Sequence, residues 1–139
     1  MDTQLTQPTS APVKGFTLVE LVVAIAIVAI LTAIAWPTYS AQVTRGRRTS
    51  AKAAMMDIAN REQLYLVANR VYADTTALQA SGYTVSPDAS KYYTWAVALG
   101  TGATPTFTIT FTPFGPQTSE GALTLDQAGN RTPLGKWQQ

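Results

Sequence analysis

FTLVELVVAIAIVAILTAIAW, Phe16 to Trp36, decides how the rest of the chain is read. At about 1.5 Å of rise per residue it matches the roughly 30 Å hydrocarbon thickness of a bilayer. Its Leu, Ile, Val and Ala leave no polar face, which argues against a helix lying flat on a membrane surface. A buried core helix of this purity needs a larger domain around it than the remaining residues can build. A cleaved secretory signal also fits poorly, because the run is too long for an apolar signal core. Its nearest small-residue cleavage pattern, Ala33-Ile34-Ala35, runs straight into Trp36-Pro37 and a continuing helical pattern. The segment reads as a membrane helix.

One residue inside it is out of character. Glu20 sits near the N-terminal edge of the run, where an ionised carboxylate in lipid costs about 2.5 to 3.5 kcal/mol. It either snorkels to the headgroups or has a cationic partner. Cutting the Gly15-Phe16 bond would create an α-amino group about one helical turn before Glu20, able to neutralise it within or between chains. The residues alone leave both readings open.

Composition narrows the function classes. The 139 residues include no cysteine and no histidine, and only 13% are charged, against roughly 25% in ordinary soluble domains. Disulfides, thiolate metal sites, imidazole ligands and the Ser-His-Asp triad are thereby excluded. Eight acidic side chains, with no paired carboxylates or glycine-rich phosphate loop in the pattern, give no basis for an enzyme, a metal or a cofactor. The net charge of +2 is uninformative, but its distribution is segmented. No charge falls between Leu21 and Val43, and then Arg45, Arg47, Arg48 and Lys52 arrive together.

Lys14-Gly15-Phe16-Thr17-Leu18-Val19-Glu20-Leu21, the apolar run, and Trp36-Pro37-Thr38-Tyr39-Ser40 together resemble the class III signal and N-terminal helix of type IV pilins. The resemblance is dense from Lys14 to about Tyr72. It implies cleavage after Gly15 by the prepilin peptidase, N-methylation of Phe16, and pairing of Glu20 with the terminal amine of a neighbouring subunit during filament assembly. Residues 1–15 are then a leader to be removed. The partners implied are other pilin subunits, the prepilin peptidase and the pilus assembly machinery, with the inner membrane as host before assembly. The positive-inside rule taken alone would put the C-terminal part in the cytoplasm, because the arginines follow the apolar run. The resemblance implies the opposite, a periplasmic C-terminal domain and finally an extracellular pilus, and the motif is the more specific of the two signals.

Beyond the membrane segment (16–37), Pro37 should kink or unwind the helix, for want of an amide hydrogen. The helical pattern resumes over 38–72, with Ala51, Ala54, Met55, Ile58 and Ala59 on one face that continues to Glu62, Tyr65 and Leu66. Residues 73–91 read as a surface loop, and 92–139 as an antiparallel sheet with a C-terminal loop. Strands are predicted at 92–99, at 106–112 in strict alternation, and at 122–126, followed by an Ala128-Gly129-Asn130 turn. A short fourth strand is placed at Arg131-Thr132 or Lys136-Trp137. The fold class is therefore α+β, a long N-terminal helix packed on a small sheet. Phe107, Ile109, Phe111, Leu123 and Leu125 are expected against Ala54, Met55, Ile58 and Tyr65.

The C-terminal stretch Glu120-Gly121-Ala122-Leu123-Thr124-Leu125, ending in Lys136-Trp137, is similar to PilE-like pilin subunits. In those a cysteine precedes the Gly-x-Leu-Thr-Leu strand and another precedes the terminal Trp, closing a disulfide loop. By that alignment Glu120 and Lys136 occupy the two cysteine positions, which makes them a candidate loop-closing ion pair; two unrelated surface charges are the alternative.

Three functions compete. The first is a structural subunit of a type IV pilus, serving adhesion, motility or DNA uptake. A minor pilin acting as a DNA-uptake receptor through Arg45, Arg47, Arg48 and Lys52 is the second, although these cations could instead meet acids such as Asp57 or Glu62 of other subunits. The third is a pseudopilin of a type II secretion system, which shares the N-terminal motif.

Overall fold

A computed structural model describes residues 15–138. The chain divides after Thr38 into two compact units. Helix α1, Leu18–Asn69, begins in the first and ends in the second. In the first unit its Leu, Ile and Val side chains are all exposed, and α1 is the one helix among the described residues long and apolar enough to cross a membrane. The α-helix continues through Pro37, although a proline there deprives the carbonyl four residues back of its helical donor.

The second unit is built on the C-terminal part of α1. Ala51, Ala54, Met55 and Ile58 are buried along one stripe, with Glu62 on the same stripe and wholly buried. The helix stops where Arg70 adopts a left-handed φ of 64° and returns its N–H to the Leu66 carbonyl at 2.8 Å, within the Asn69 to Tyr72 stretch where its end is expected.

Four antiparallel strands follow in the order β1-β2-β3-β4: Tyr93–Leu99, Phe107–Pro113, Leu123–Asp126 and Arg131–Thr132. Alternation sets the faces, and register stacks them: Val97 lies opposite Ile109, which lies opposite Leu125, while Trp95, Phe111 and Leu123 form the next row. Phe107, Ile109, Phe111, Leu123 and Leu125 are each at most 2% exposed and share one core with Met55 and Ile58. Each such side chain contributes about 1.5 to 3 kcal/mol by leaving water. The threonines of β2 alternate onto the other face.

Two parts of the expected layout need correction. Residues 73–91 are not a plain surface loop: they form helices α2, Thr75–Ala80, and α3, Pro87–Ser90, and sink Leu78, Tyr83, Val85 and Ala89 into the core. Asp74 caps α2 by accepting the Ala77 N–H at 2.7 Å, and proline opens α3, which is how so polar a stretch is held in helical turns. Lys136-Trp137 belongs to a helical turn, α4, Leu134–Trp137, rather than to a strand. A 3-10 segment, Gly115–Glu120, joins β2 to β3 and was not foreseen.

Candidate assembly and ligand-binding surfaces

The N-terminal turn of α1 is closed by its own sequence. Thr17 precedes the first helical residue, and its Oγ1 accepts the Glu20 N–H at 3.2 Å, the first half of a Thr-x-x-Glu capping arrangement. Glu20 thereby occupies the third helical position, where the unsatisfied amides favour a negative charge. Phe16, two residues before the helix, is 80% exposed. Thr17 is the residue that sequence reasoning passed over, and the Thr-x-x-Glu spacing was the available signal. Residues 1–14 of the expected leader lie outside the described residues; Gly15 and Phe16 lie within them.

In the second unit, Glu120 and Lys136 stand with Lys136 Nζ donating to Glu120 Oε1 at 3.2 Å. The structure adds a third member that helical spacing does not reveal. Arg48 Nε lies 2.9 Å from Glu120 Oε2, with Arg48 4% and Glu120 13% exposed, whereas Lys136 keeps 33%. The Arg48–Glu120 contact is short but poorly aligned for a hydrogen bond, so its attraction is Coulombic rather than directional. Arg48 Nη1 also donates to the Lys136 carbonyl at 3.4 Å, and Lys52 Nζ donates to the Trp137 carbonyl at 3.2 Å. Two cations of the helix therefore hold the backbone of α4, and Glu120 sits between cations of α1 and α4.

That arrangement corrects the expected basic cluster. Arg48 is buried against its own chain, 4% exposed. Lys52 is half-buried, with its ammonium driven below its usual range by burial first and by the Arg48 charge second. Arg47 lies flat over the Tyr92 ring, 3.9 Å from its centre. Arg45 stays exposed. Helical spacing accounts for the split, because four cations spread over eight residues cover more than one face of a helix.

The acids suggested as partners on other subunits also differ from expectation. Asp57 is exposed and pairs with Arg61 one turn away at 3.2 Å. Glu62 is not accessible at all: its Oε2 accepts the Ala73 N–H at 2.8 Å beneath the turn that ends α1, and its Oε1 finds no hydrogen-bond partner. Burial raises its carboxyl above the ordinary range, the Ala73 amide opposes that, and the Asp74 charge adds to it. Tyr83, buried beside Asp57 and Trp95, is pushed up to about 12, mainly by burial and then by the Asp57 charge.

A second cationic surface involves residues the sequence reading barely used. Trp137 stands between two cations, with Arg131 Cζ 5.1 Å and Lys52 Nζ 5.9 Å from its ring centre. Arg131 also lines an open cleft of about 420 Å³ with Gly129, Asn130, Thr132 and Leu134. Gly129 makes this turn possible with a φ of 82°. No group of acids suited to a metal ion occurs among the described residues.

An exposed apolar helix opened by a capped acidic turn, leading into a helix-on-sheet domain, defines the type IV pilin class of filament subunit. Residues 11–36 match the prokaryotic N-terminal methylation motif, and residues 37–124 match the family described as type IV minor pilin ComP, DNA uptake sequence receptor. The chain belongs to that family of type IV pilins. It is also similar to the type IV wide pilus major component PilA4 of Thermus thermophilus, with 38% identity over 64 residues, 46% of this chain and 49% of the relative. The chain thus matches about half the length of that relative.

Proposed function

We propose that this pilin is processed between Gly15 and Phe16, methylated at Phe16, and assembled into a type IV pilus through Glu20. The observation that carries the reading is the capped first turn. Glu20 is held there, four residues after Phe16, on the stretch of α1 whose Leu, Ile and Val side chains are all exposed. Before assembly that helix sits in the inner membrane with the second unit periplasmic; after assembly the same apolar surface lies among like helices. A carboxylate in that setting needs a cation, and the freed amine of a neighbouring Phe16 is one of the right sign at the right end. The role is structural rather than catalytic. The family match favours a pilus over a secretion pseudopilus. Mass spectrometry of sheared filaments should find an N-terminal peptide beginning at methylated Phe16. Intact Met1 in assembled filaments would overturn the proposal.

A second reading, capture of DNA by the second unit, is favoured by the receptor family match and by the cations around Trp137. Arg131 can neutralise a phosphate while the indole offers a stacking face. The Arg45 to Lys52 cluster supports this reading less, because Arg48 is buried and Arg47 is engaged with Tyr92. Titrating the chain in detergent with duplex DNA at several salt concentrations tests this reading. Arg131→Gln should weaken binding and reduce the slope of log K against log salt by about 1. Binding unchanged by that substitution would remove the Trp137 surface from consideration.

A further inference from the structure

We propose that the second units of neighbouring copies dock head to tail, with Leu134 of one copy seated in an apolar cleft beside Val71 and Leu99 of the next. This rests on the reading of the chain as a filament subunit. The cleft, of about 290 Å³, lies between the segment that follows α1 and the β1–β2 hairpin, with Val71, Leu99, Ala103 and Pro105 in its lining. No charged residue lines it, and Val71 and Leu99 are left exposed to water. Its walls are held in place. The Tyr72 ring stands edge-on to Phe107 at 4.7 Å, and Gly100 donates its N–H to the Thr106 carbonyl at 3.0 Å. A Cβ at Gly100 would collide with the Thr106 side chain, so the hairpin is drawn tight there. An apolar cavity of about 150 Å³ accommodates benzene, so this cleft has room for a leucine side chain.

Leu134 supplies the matching projection. It opens α4 with 63% of its surface exposed, on a turn that α1 holds from beneath. Arg48 and Lys52 donate to the Lys136 and Trp137 carbonyls, and Glu120 fixes the Lys136 ammonium at 3.2 Å. A side chain carried on a turn already held in this way loses little further backbone freedom on docking. From Lys52, which anchors α4, to Asn69, just before Val71, α1 rises roughly 26 Å. Projection and cleft therefore stand at opposite ends of one unit and cannot meet within a chain. A contact between two different patches of identical subunits is heterologous: each copy keeps a free projection at one end and a free cleft at the other, so addition can continue beyond a dimer. This geometry selects a second copy as the occupant, because a filament subunit requires an open-ended contact and this chain carries both halves of one.

The chain has no cysteine, which makes the contact testable by disulfide formation. The full chain carrying L134C and A103C is assembled in the cells that make it, and sheared filaments are mildly oxidised and separated without reductant. Two cysteines bridge only when their Cα atoms lie within about 7 Å, so this pair can react between copies and not within one. We expect a ladder of covalent dimers, trimers and longer chains from the double variant. L134C alone, A103C alone, and L134C paired with T94C on the exposed face of β1 should stay monomeric. Filaments of L134C/A103C without a ladder, or an equal ladder from L134C/T94C, would overturn the docking and leave the filament reading intact. Independently, L134D should leave Tm unchanged and lower filament yield about ten-fold or more, the factor that corresponds to burying one leucine. L134D filaments at the parental yield would overturn the contact; if that variant instead binds duplex DNA more weakly, the turn belongs to a nucleic-acid surface. A parental chain that keeps Met1 and forms no filaments would overturn the filament reading and the docking with it.

Discussion

Replacing Glu120 by Gln tests the charge arrangement at the C-terminal turn. The substitution keeps the shape and removes the anion, leaving the Arg48 guanidinium 4% exposed without its carboxylate. Breaking a buried pair from one side costs about 3 to 5 kcal/mol. Glu120 retains 13% exposure, and Arg48 keeps its contact with the Lys136 carbonyl, so a loss of about 2 to 4 kcal/mol is the better figure here. Lys136 is 33% exposed, and Lys136→Gln should cost only about 0 to 1 kcal/mol, in the range of surface pairs. For a domain of this size about 1 kcal/mol moves the melting temperature by 4 to 8 °C, so E120Q should lower Tm by roughly 8 to 32 °C and K136Q by no more than about 8 °C. Near-UV circular dichroism of the chain in detergent, followed on heating, measures both. A double-mutant cycle with Arg48→Gln should recover a large coupling energy for Arg48–Glu120 and a small, salt-sensitive one for Lys136–Glu120. Equal effects of E120Q and K136Q, or an E120Q protein melting within about 3 °C of the parent, would refute the assignment of Arg48 as the main partner.

Other expectations follow from single contacts. Glu62 is raised in the folded state, so its neutral form is the one that the fold prefers; stability is highest below the ordinary carboxyl value of 4.5 and falls as pH rises through the raised value. Glu62→Gln, which can still accept from Ala73, should therefore match the parent in denaturant titrations at pH 4 and exceed it at pH 8; a gap independent of pH would contradict this. Thr17→Val should fray the first turn by about 1 kcal/mol, seen as faster amide exchange at residues 18–21 with the sheet unaffected. Gln117→Leu removes donors to the Thr44 carbonyl and the Tyr93 hydroxyl, both near or in the core, and should cost about 2 kcal/mol in chemical denaturation.

The elements that periodicity reports were legible in the chain. A run of apolar residues without charge specifies a membrane-length helix whatever it later packs against, and strict alternation from Phe107 to Phe111 specifies a strand and its buried face. The helical stripe of Ala51, Ala54, Met55 and Ile58 is a local property of the same kind. Residues 73–91 were not legible in this way, because two helices of six and four residues are too short to show a period and are held by one cap, one proline and burial of Leu78, Tyr83 and Ala89.

Charge partners belong to another category. Glu120 and Lys136 were brought together by alignment with a disulfide-bearing family, and they are in contact, but Arg48 reaches the same carboxylate from 72 residues away in sequence. By spacing alone Glu62 reads as an outward acid and Arg48 as an outward base, yet both are buried. Nothing local separates a buried charge from a solvated one, since both obey the same helical spacing. The distinction is made only when the sheet closes over one face of α1 and removes water from whichever charges stand beneath it. The chain by its own pattern thus settles which segments are helix, strand and membrane-seeking, while the packed domain settles which of its few charges remain available to a partner.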